Sequence, residues 1–277
     1  MEIDVLGPLA VRENGVSITP TAPKPRQVLA LLALHADQVV PVGSLIEELW
    51  AATPPRSART TLQTYVLQLR ELIAVALEKD EPVEGQPRRS AKDVLVTLPG
   101  GYLLRGGGTS DVREFERLAG TGYRAMDSED FRDAAQQLRE ALGLWSGSAF
   151  ADVQTGAQLE MEAKRLEESR LCALDQRIEA DLRLGRHREL LAELTVLVSR
   201  YRTHENLHAQ FMLALHGAGR RGEALDVYQR LRSTLVRDLG IEPSARLRRV
   251  QRSILMTSPE APTQPEKTGG ERLVRVS

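Results

Sequence analysis

Between Arg56 and Leu72 the sequence sets out a row of side chains suited to meeting the edges of base pairs. At 100° per residue, Leu62, Val66, Leu69 and Ile73 fall on one stripe. The opposite side of the same segment carries Thr60, Thr64, Leu67, Gln68 and Glu71, flanked by Thr61, Tyr65 and Arg56. In a chain with 27% charged residues, a plainly solvated helix face would alternate Glu with Lys or Arg. This face offers hydroxyls and an amide that can donate or accept to base edges, with Thr methyls and Leu67 that can meet a thymine methyl. Arg56 and Arg59, at the start of the segment, suit phosphate contacts, which set register without reading sequence. The other reading is a polar surface helix with no partner.

A second basic group lies at residues 88–105, where Arg88, Arg89, Lys92 and Arg105 outnumber Asp93 four to one. Within it Val94, Val96 and Leu98 alternate, Pro99-Gly100-Gly101 turns, and Tyr102-Leu103-Leu104 returns, a hairpin pattern. Glycines at the turn let a hairpin approach a nucleic-acid backbone closely. A hairpin that merely closes a sheet is the alternative. The residues expected to bind DNA are therefore Arg56, Arg59, Thr60, Thr61, Thr64, Tyr65, Gln68, Lys92 and Arg105.

Elsewhere the residues argue against an enzyme. Of five histidines, His204, His208 and His216 fall at i, i+4 and i+12. No cysteine and few carboxylates join them, so they read as helix-surface histidines and no metal is expected. Gly106-Gly107-Gly108 is followed by Thr109-Ser110-Asp111 and lacks the Lys-Ser/Thr step of a phosphate loop, so it reads as a flexible joint. Cys172, the single cysteine, lies in a helical apolar stripe and reads as core. Glu160, Glu162, Glu167 and Glu168 read as a solvated face. No catalytic residue and no cofactor are expected.

The elements that must hold these groups follow from length and periodicity. Two hundred seventy-seven residues, 42% hydrophobic, are enough for two soluble domains. No apolar run approaches the ~20 residues of a membrane helix. The acidic start Met1-Glu2-Ile3-Asp4 is unlike a signal peptide, and one cysteine excludes an intrachain disulfide, so a reduced, cytoplasmic protein is expected. The net charge of −1 is unevenly spread: 11 basic against 12 acidic residues over 1–110, 10 against 16 over 111–185, and 13 against 7 over 186–252. Because binding depends on the local field, this sum excludes nothing.

The first 20 residues read as short strands with a turn at Glu13-Asn14-Gly15. A buried helix follows from about Pro25, a second spans Val42–Trp50, Thr53-Pro54-Pro55 breaks the chain, and a third helix runs from Arg56 to Leu77 with Ser57 as its cap. Lys79–Asp93 is polar and precedes the hairpin. Strands, three helices and a terminal hairpin spell a winged helix-turn-helix, an α+β domain over 1–108. Beyond it, helical stripes fall at Phe115–Met126, Phe131–Trp145, Leu159–Leu184, Leu190–Tyr201, Leu207–Leu215, Ala224–Leu239 and Leu247–Met256, an all-α domain over 109–257. Leu184-Gly185-Arg186 recurs 34 positions later as Ala218-Gly219-Arg220, the tetratricopeptide (TPR) period. Residues 258–277, rich in Pro, Thr and Glu, read as a disordered tail.

Several stretches resemble one known family: Val5-Leu6-Gly7-Pro8-Leu9, Leu45–Trp50, Pro55–Val66, Pro99–Leu104, Phe150–Arg170 and Ile178–His187. Over about residues 3–256 the chain resembles the Streptomyces antibiotic regulatory proteins (SARPs), the AfsR-like activators of actinomycetes. The resemblance implies an OmpR-like winged helix followed by a TPR-like bacterial transcriptional activation domain. It further implies an activator of a secondary-metabolite gene cluster that binds double-stranded DNA at direct repeats upstream of promoters, often as side-by-side protomers, and recruits RNA polymerase. The competing expectation is a TPR-like interaction scaffold with a degenerate winged helix.

Overall fold

The computed structural model describes residues 1–78, 89–106 and 108–256. The chain separates into two compact units, one ending at Arg186 and the other beginning at His187. The expected tail at 258–277 lies outside the described residues, as do most of the polar stretch after the third helix and Arg88.

The first unit opens with strands β1 (Glu2–Asp4), β2 (Ala10–Glu13) and β3 (Val16–Ser17). Asn14 and Gly15 both have positive φ, the backbone that a tight two-residue hairpin needs. Helix α1 (Pro23–Leu34) starts on a proline, whose missing N–H costs nothing there, and its apolar residues are buried all round. Strand β4 (Val39–Pro41) leads directly into α2 (Val42–Trp50), and α3 spans Ala58–Leu77. The short helix α4 (Ala91–Val94) precedes β5 (Leu95–Leu98) and β6 (Gly101–Leu104). Strand β4 and the helix α4 are too short to leave a periodic signal, and sequence reasoning missed both.

The strands form two sheets. One has the order β4-β6-β5, with Val40 opposite Tyr102 and Tyr102 opposite Thr97. A Cβ on Gly101 would lie 2.5 Å from the Val40 carbonyl oxygen, so this glycine serves the close approach of β4, whereas Gly100, with φ +84°, makes the turn. The other sheet has the order β3-β2-β1-β7, where β7 is Thr109–Ser110 and runs parallel to β1. Gly106 is buried and donates its N–H to Asp37 Oδ1 at 2.9 Å. On either side of residue 107, which lies outside the described residues, Gly106 and Thr109–Ser110 of the expected flexible joint are held in place.

Helices α5 (Asp111–Asp127), α6 (Phe131–Gly143) and α7 (Ala157–Arg183) complete this unit. The loop from Val5 to Leu9 is clamped by them and by the segment joining α6 to α7. Asp111 Oδ2 accepts from the N–H groups of Val5 and Leu6, both at 2.7 Å, and Asp152 Oδ1 accepts from Leu9 at 2.8 Å. Ser146, Phe150 and Ala151 in turn donate their N–H groups to the carbonyls of Leu6, Val5 and Gly7. Burial pushes the Asp111 carboxyl above the ordinary aspartate range despite these donors. The stretch Val5–Leu9 is thus a strap held mostly by backbone groups.

A second tie comes from α2. Glu48 is 3% exposed, and its carboxylate accepts from the N–H groups of Gly156, Gln158 and Leu159 at the start of α7. The side chain of Gln27 in α1 donates to the same carboxylate at 3.2 Å and to the Glu48 carbonyl at 2.8 Å. An anion at a helix start satisfies otherwise orphaned amides and meets the positive end of the dipole. Gly156 is required for this approach, because a Cβ there would collide with the Glu48 carbonyl oxygen.

The second unit contains α8 (His187–Arg200), α9 (Glu205–Gly217), α10 (Arg221–Leu239) and α11 (Ala245–Met256). Helix α9 packs on the other three. Leu194, Leu207, Met212, Leu231, Leu247 and Ile254 form its buried interior. The 34-residue recurrence has a geometric basis. Gly185 (φ +76°) and Gly219 (φ +82°) end their helices in the same left-handed cap. In each the following arginine donates its N–H back five residues, Arg186 to Asp181 at 3.0 Å and Arg220 to Leu215 at 2.8 Å.

Candidate nucleic-acid interface

Helix α3 is held from beneath by Leu62, Val66, Leu69 and Ile73, all buried. The turn before it is polar and exposed from Thr53 to Ser57. Ser57 occupies the cap position, but its hydroxyl makes no capping bond. Its backbone (φ −87°, ψ 8°) is not the extended conformation that aims a cap side chain at the first amides. The helix starts two residues later than expected for that reason and because two prolines precede it.

The outward side of α3 and its entry carries the expected polar row. Arg56, Arg59, Thr60, Thr64 and Gln68 are exposed, while Thr61 and Tyr65 are half-buried at the margin of the core. Leu67, on the same face, is 57% exposed. Thr64 Oγ1 donates to the Thr60 carbonyl at 3.1 Å, which leaves its lone pairs and methyl outward. Among the described residues the side chains of Arg56, Arg59 and Gln68 make no hydrogen bond or ion pair, so their donors face solvent.

The hairpin is fixed to this helix by a residue that the sequence did not single out. Arg70 forks onto the Leu95 carbonyl, from Nε at 3.1 Å and Nη2 at 2.7 Å, and Nη2 also donates to Thr97 Oγ1 at 2.7 Å. A planar guanidinium can bridge a helix to a strand in this way, and an ammonium cannot. Arg70 sits at the edge of the buried stripe, where a helical wheel shows only a flanking cation. The turn is also tied to α2, since Val42 donates its N–H to the Gly100 carbonyl at 2.9 Å.

Lys92 and Arg105 are exposed and flank the hairpin. The nearby acid is spent locally. Asp93 accepts from the Ser90 N–H at 2.8 Å and the Ser90 hydroxyl at 2.7 Å in a capping box. These bonds, helped by Arg105 and Arg89, hold the Asp93 carboxyl below the ordinary range. Arg89 is engaged by the buried Glu13 at 3.1 Å. Arg56, Arg59, Thr60, Thr61, Thr64, Tyr65 and Gln68 thus share one helix and its entry, whereas Lys92, in α4, and Arg105, just after β6, lie at the two ends of the hairpin that Arg70 anchors to it.

Two other expectations are corrected. Cys172 is exposed on α7, not in the core, because the neighbouring helices cover the other side of α7. Partial desolvation and the carboxylates of Glu168 and Asp175 push its thiol above the ordinary cysteine range, which favours the protonated form. His208 is buried, not on the helix surface, and its Nδ1 lies 3.0 Å from the His204 carbonyl. His204 itself caps α9, accepting from the Leu207 N–H at 3.3 Å. Among the described residues no group of three or more His, Cys, Asp or Glu is placed to hold a metal ion, and no helix is long and apolar enough to cross a membrane.

Residues 110–255 match the family model of the bacterial transcriptional activator domain, and residues 17–85 match that of the C-terminal domain of transcriptional regulatory proteins. Regulatory protein DnrI of Streptomyces peucetius is 53% identical over 260 residues, 94% of this chain and 93% of that protein. The chain belongs to the SARP family of transcriptional regulators. Regulatory protein AfsR of Streptomyces coelicolor, another relative, is 34% identical over 94% of this chain, which spans only 24% of AfsR. The solved structure of Mycobacterium tuberculosis EmbR in complex with a low affinity phosphopeptide matches with a TM-score of 0.82 and 31% identity, covering 93% of this chain and 65% of that one. Membership in the family makes the protein a transcriptional regulator and not an enzyme, with a winged helix-turn-helix followed by a mostly helical region.

Proposed function

We propose that this SARP-family regulator is a sequence-specific DNA-binding activator of a secondary-metabolite (antibiotic) gene cluster, acting in the cytoplasm. In this reading α3 enters the major groove and the β5–β6 hairpin touches the adjacent backbone or minor groove. Residues 1–108 bind DNA, and residues 109–257 act as the activation domain that recruits RNA polymerase. Protomers bind direct repeats upstream of the promoter, side by side. The observation that carries the reading is the outward face of α3, where Thr60, Thr64, Leu67 and Gln68 stand exposed beside two unpaired arginines.

The test is electrophoretic mobility shift and footprinting on the region upstream of the neighbouring genes, repeated at rising salt. The Thr64→Ala, Gln68→Ala double variant can no longer hydrogen-bond base edges from these positions. For each base pair so read, discrimination should fall by about 1–3 kcal/mol while non-specific binding stays in place. Arg56→Ala should weaken binding to all sequences and lower the salt slope by about 0.9. Equal footprints from the wild type and the double variant would overturn the groove assignment. No shift at any salt would instead favour an interaction scaffold.

A further inference from the structure

A groove of about 620 Å³ runs along the second unit between α8, α9 and α10, within the size range of ligand clefts. Its floor is closed by Phe211, Val227 and Leu231. Three arginines, Arg202, Arg220 and Arg230, line it against one acid, Glu223. Arg220 is already spent on Glu223, in a two-pronged pair at 2.7 and 2.6 Å. Arg202 and Arg230 are exposed, and among the described residues neither side chain makes a hydrogen bond or salt bridge. His208 is biased toward its neutral form, since burial, with the nearby charges of His204 and Arg230, outweighs its hydrogen bond to the His204 carbonyl and pushes its imidazole below the ordinary histidine range. Arg202 and Arg230 feel Asp238 and Glu223 at longer range, but each of those carboxylates is already bonded to another arginine, so the groove keeps a net positive charge.

The hydroxyls on the wall distinguish which anion fits. Thr195 Oγ1 donates to the Leu191 carbonyl at 2.7 Å, and Ser199 Oγ donates to the Thr195 carbonyl at 2.9 Å. Each has used its one proton and offers only lone pairs. On this exposed wall water meets those lone pairs, and a peptide N–H can take its place where a nucleic-acid backbone, which carries acceptors only, cannot. A peptide backbone brings N–H donors at regular intervals, and acidic side chains would meet the arginines. We propose that this groove docks an extended acidic peptide segment of a partner protein, its carboxylates on Arg202 and Arg230, its backbone N–H groups toward Thr195 and Ser199, and one apolar side chain over Phe211 and Val227. The groove lies far in sequence from the α3 face and is independent of the DNA-binding reading.

The experiment uses the full chain and three fluorescein-labelled peptides of alternating composition, Glu–Leu, Gln–Leu and Lys–Leu, followed by fluorescence anisotropy at low salt. The wild type should bind the Glu–Leu peptide about tenfold more tightly than its Gln–Leu twin, as two partly exposed ion pairs would give. The charge-reversed Arg202→Glu, Arg230→Glu variant should lose that preference and favour the Lys–Leu peptide, which a misfolded protein would not do. Its retardation of the upstream DNA fragment should match that of the wild type. Equal affinity of the wild type for the Glu–Leu and Gln–Leu peptides, or an unchanged order in the reversed variant, would overturn the proposal. So would loss of DNA retardation in that variant with its peptide preference intact, because the groove would then be a nucleic-acid contact. Failure of the wild type to shift DNA would count against the activator reading alone.

Discussion

Replacing Glu48 with alanine should separate two parts of the first unit that sequence places more than a hundred residues apart. The carboxylate serves three amides at the start of α7 and the Gln27 side chain, all at a site 3% exposed. Each buried donor left without a partner costs about 1–3 kcal/mol, and an anion at a helix start contributes about 0.3–1 kcal/mol more. These losses overlap, because the amides share one acceptor group and a truncated site admits water. For three amides and one side-chain amide losing a single shared acceptor, the net loss should be ~4 kcal/mol. For a unit of this size 1 kcal/mol moves the midpoint by about 2–4 °C, so the Tm should fall by about 8–16 °C. Glu48→Gln keeps one acceptor oxygen and should lose only about 1–2 kcal/mol. Both tryptophans, Trp50 and Trp145, belong to the first unit, so fluorescence excited selectively at tryptophan follows its unfolding apart from Tyr201 and Tyr228 of the second. A Glu48→Ala protein that melts within about 3 °C of the wild type, a loss under roughly 1 kcal/mol, would refute the idea that this carboxylate joins α2 to α7.

Two further outcomes rest on geometry already described. Arg70→Ala should weaken DNA binding about five- to tenfold by freeing the hairpin from α3, with the salt slope unchanged; a slope reduced by about 0.9 would mean that Arg70 touches phosphate directly. His208, whose proton affinity in the folded chain is lowered by burial and by the charges of His204 and Arg230, against its hydrogen bond to the His204 carbonyl and the pull of Glu205, should make the second unit sensitive to acid. The unfolded chain takes up the proton more readily, so stability present at neutral pH should be lost as pH falls through 6.5. Urea midpoints by circular dichroism should show a shallower pH dependence in His208→Leu than in the wild type, and identical slopes would exclude the histidine as the source.

The long helices were legible because a buried stripe repeats every turn. The second helix has the bounds that its sequence pattern predicts, Val42–Trp50, and the outward face of α3 follows from the same wheel that places Leu62, Val66 and Leu69 inside. What stayed hidden depends on partners distant in sequence. Strand β7 is two residues long and exists because Glu2 and Ile3 lie alongside it, more than a hundred positions away. Glu48 and Asp111 look like ordinary surface acids until the amides that they serve are brought to them. Cys172 was misplaced because a wheel shows that a helix has an apolar side but not how far the neighbouring helices wrap around it. Arg70 shows the same limit for function, since a lone flanking cation has no pattern to betray it.

The strap at Val5–Leu9 bears on how the molecule could be shortened. A chain ended at residue 108, where composition invites a cut, would strip the amides of Val5, Leu6 and Leu9 of their acceptors and the carbonyls of Val5, Leu6 and Gly7 of their donors. Six main-chain groups would then be handed to water at once, beside freshly bared apolar surface. Such a fragment should be sticky and prone to self-association, and a cut after Arg186 should instead keep every one of those partners in place.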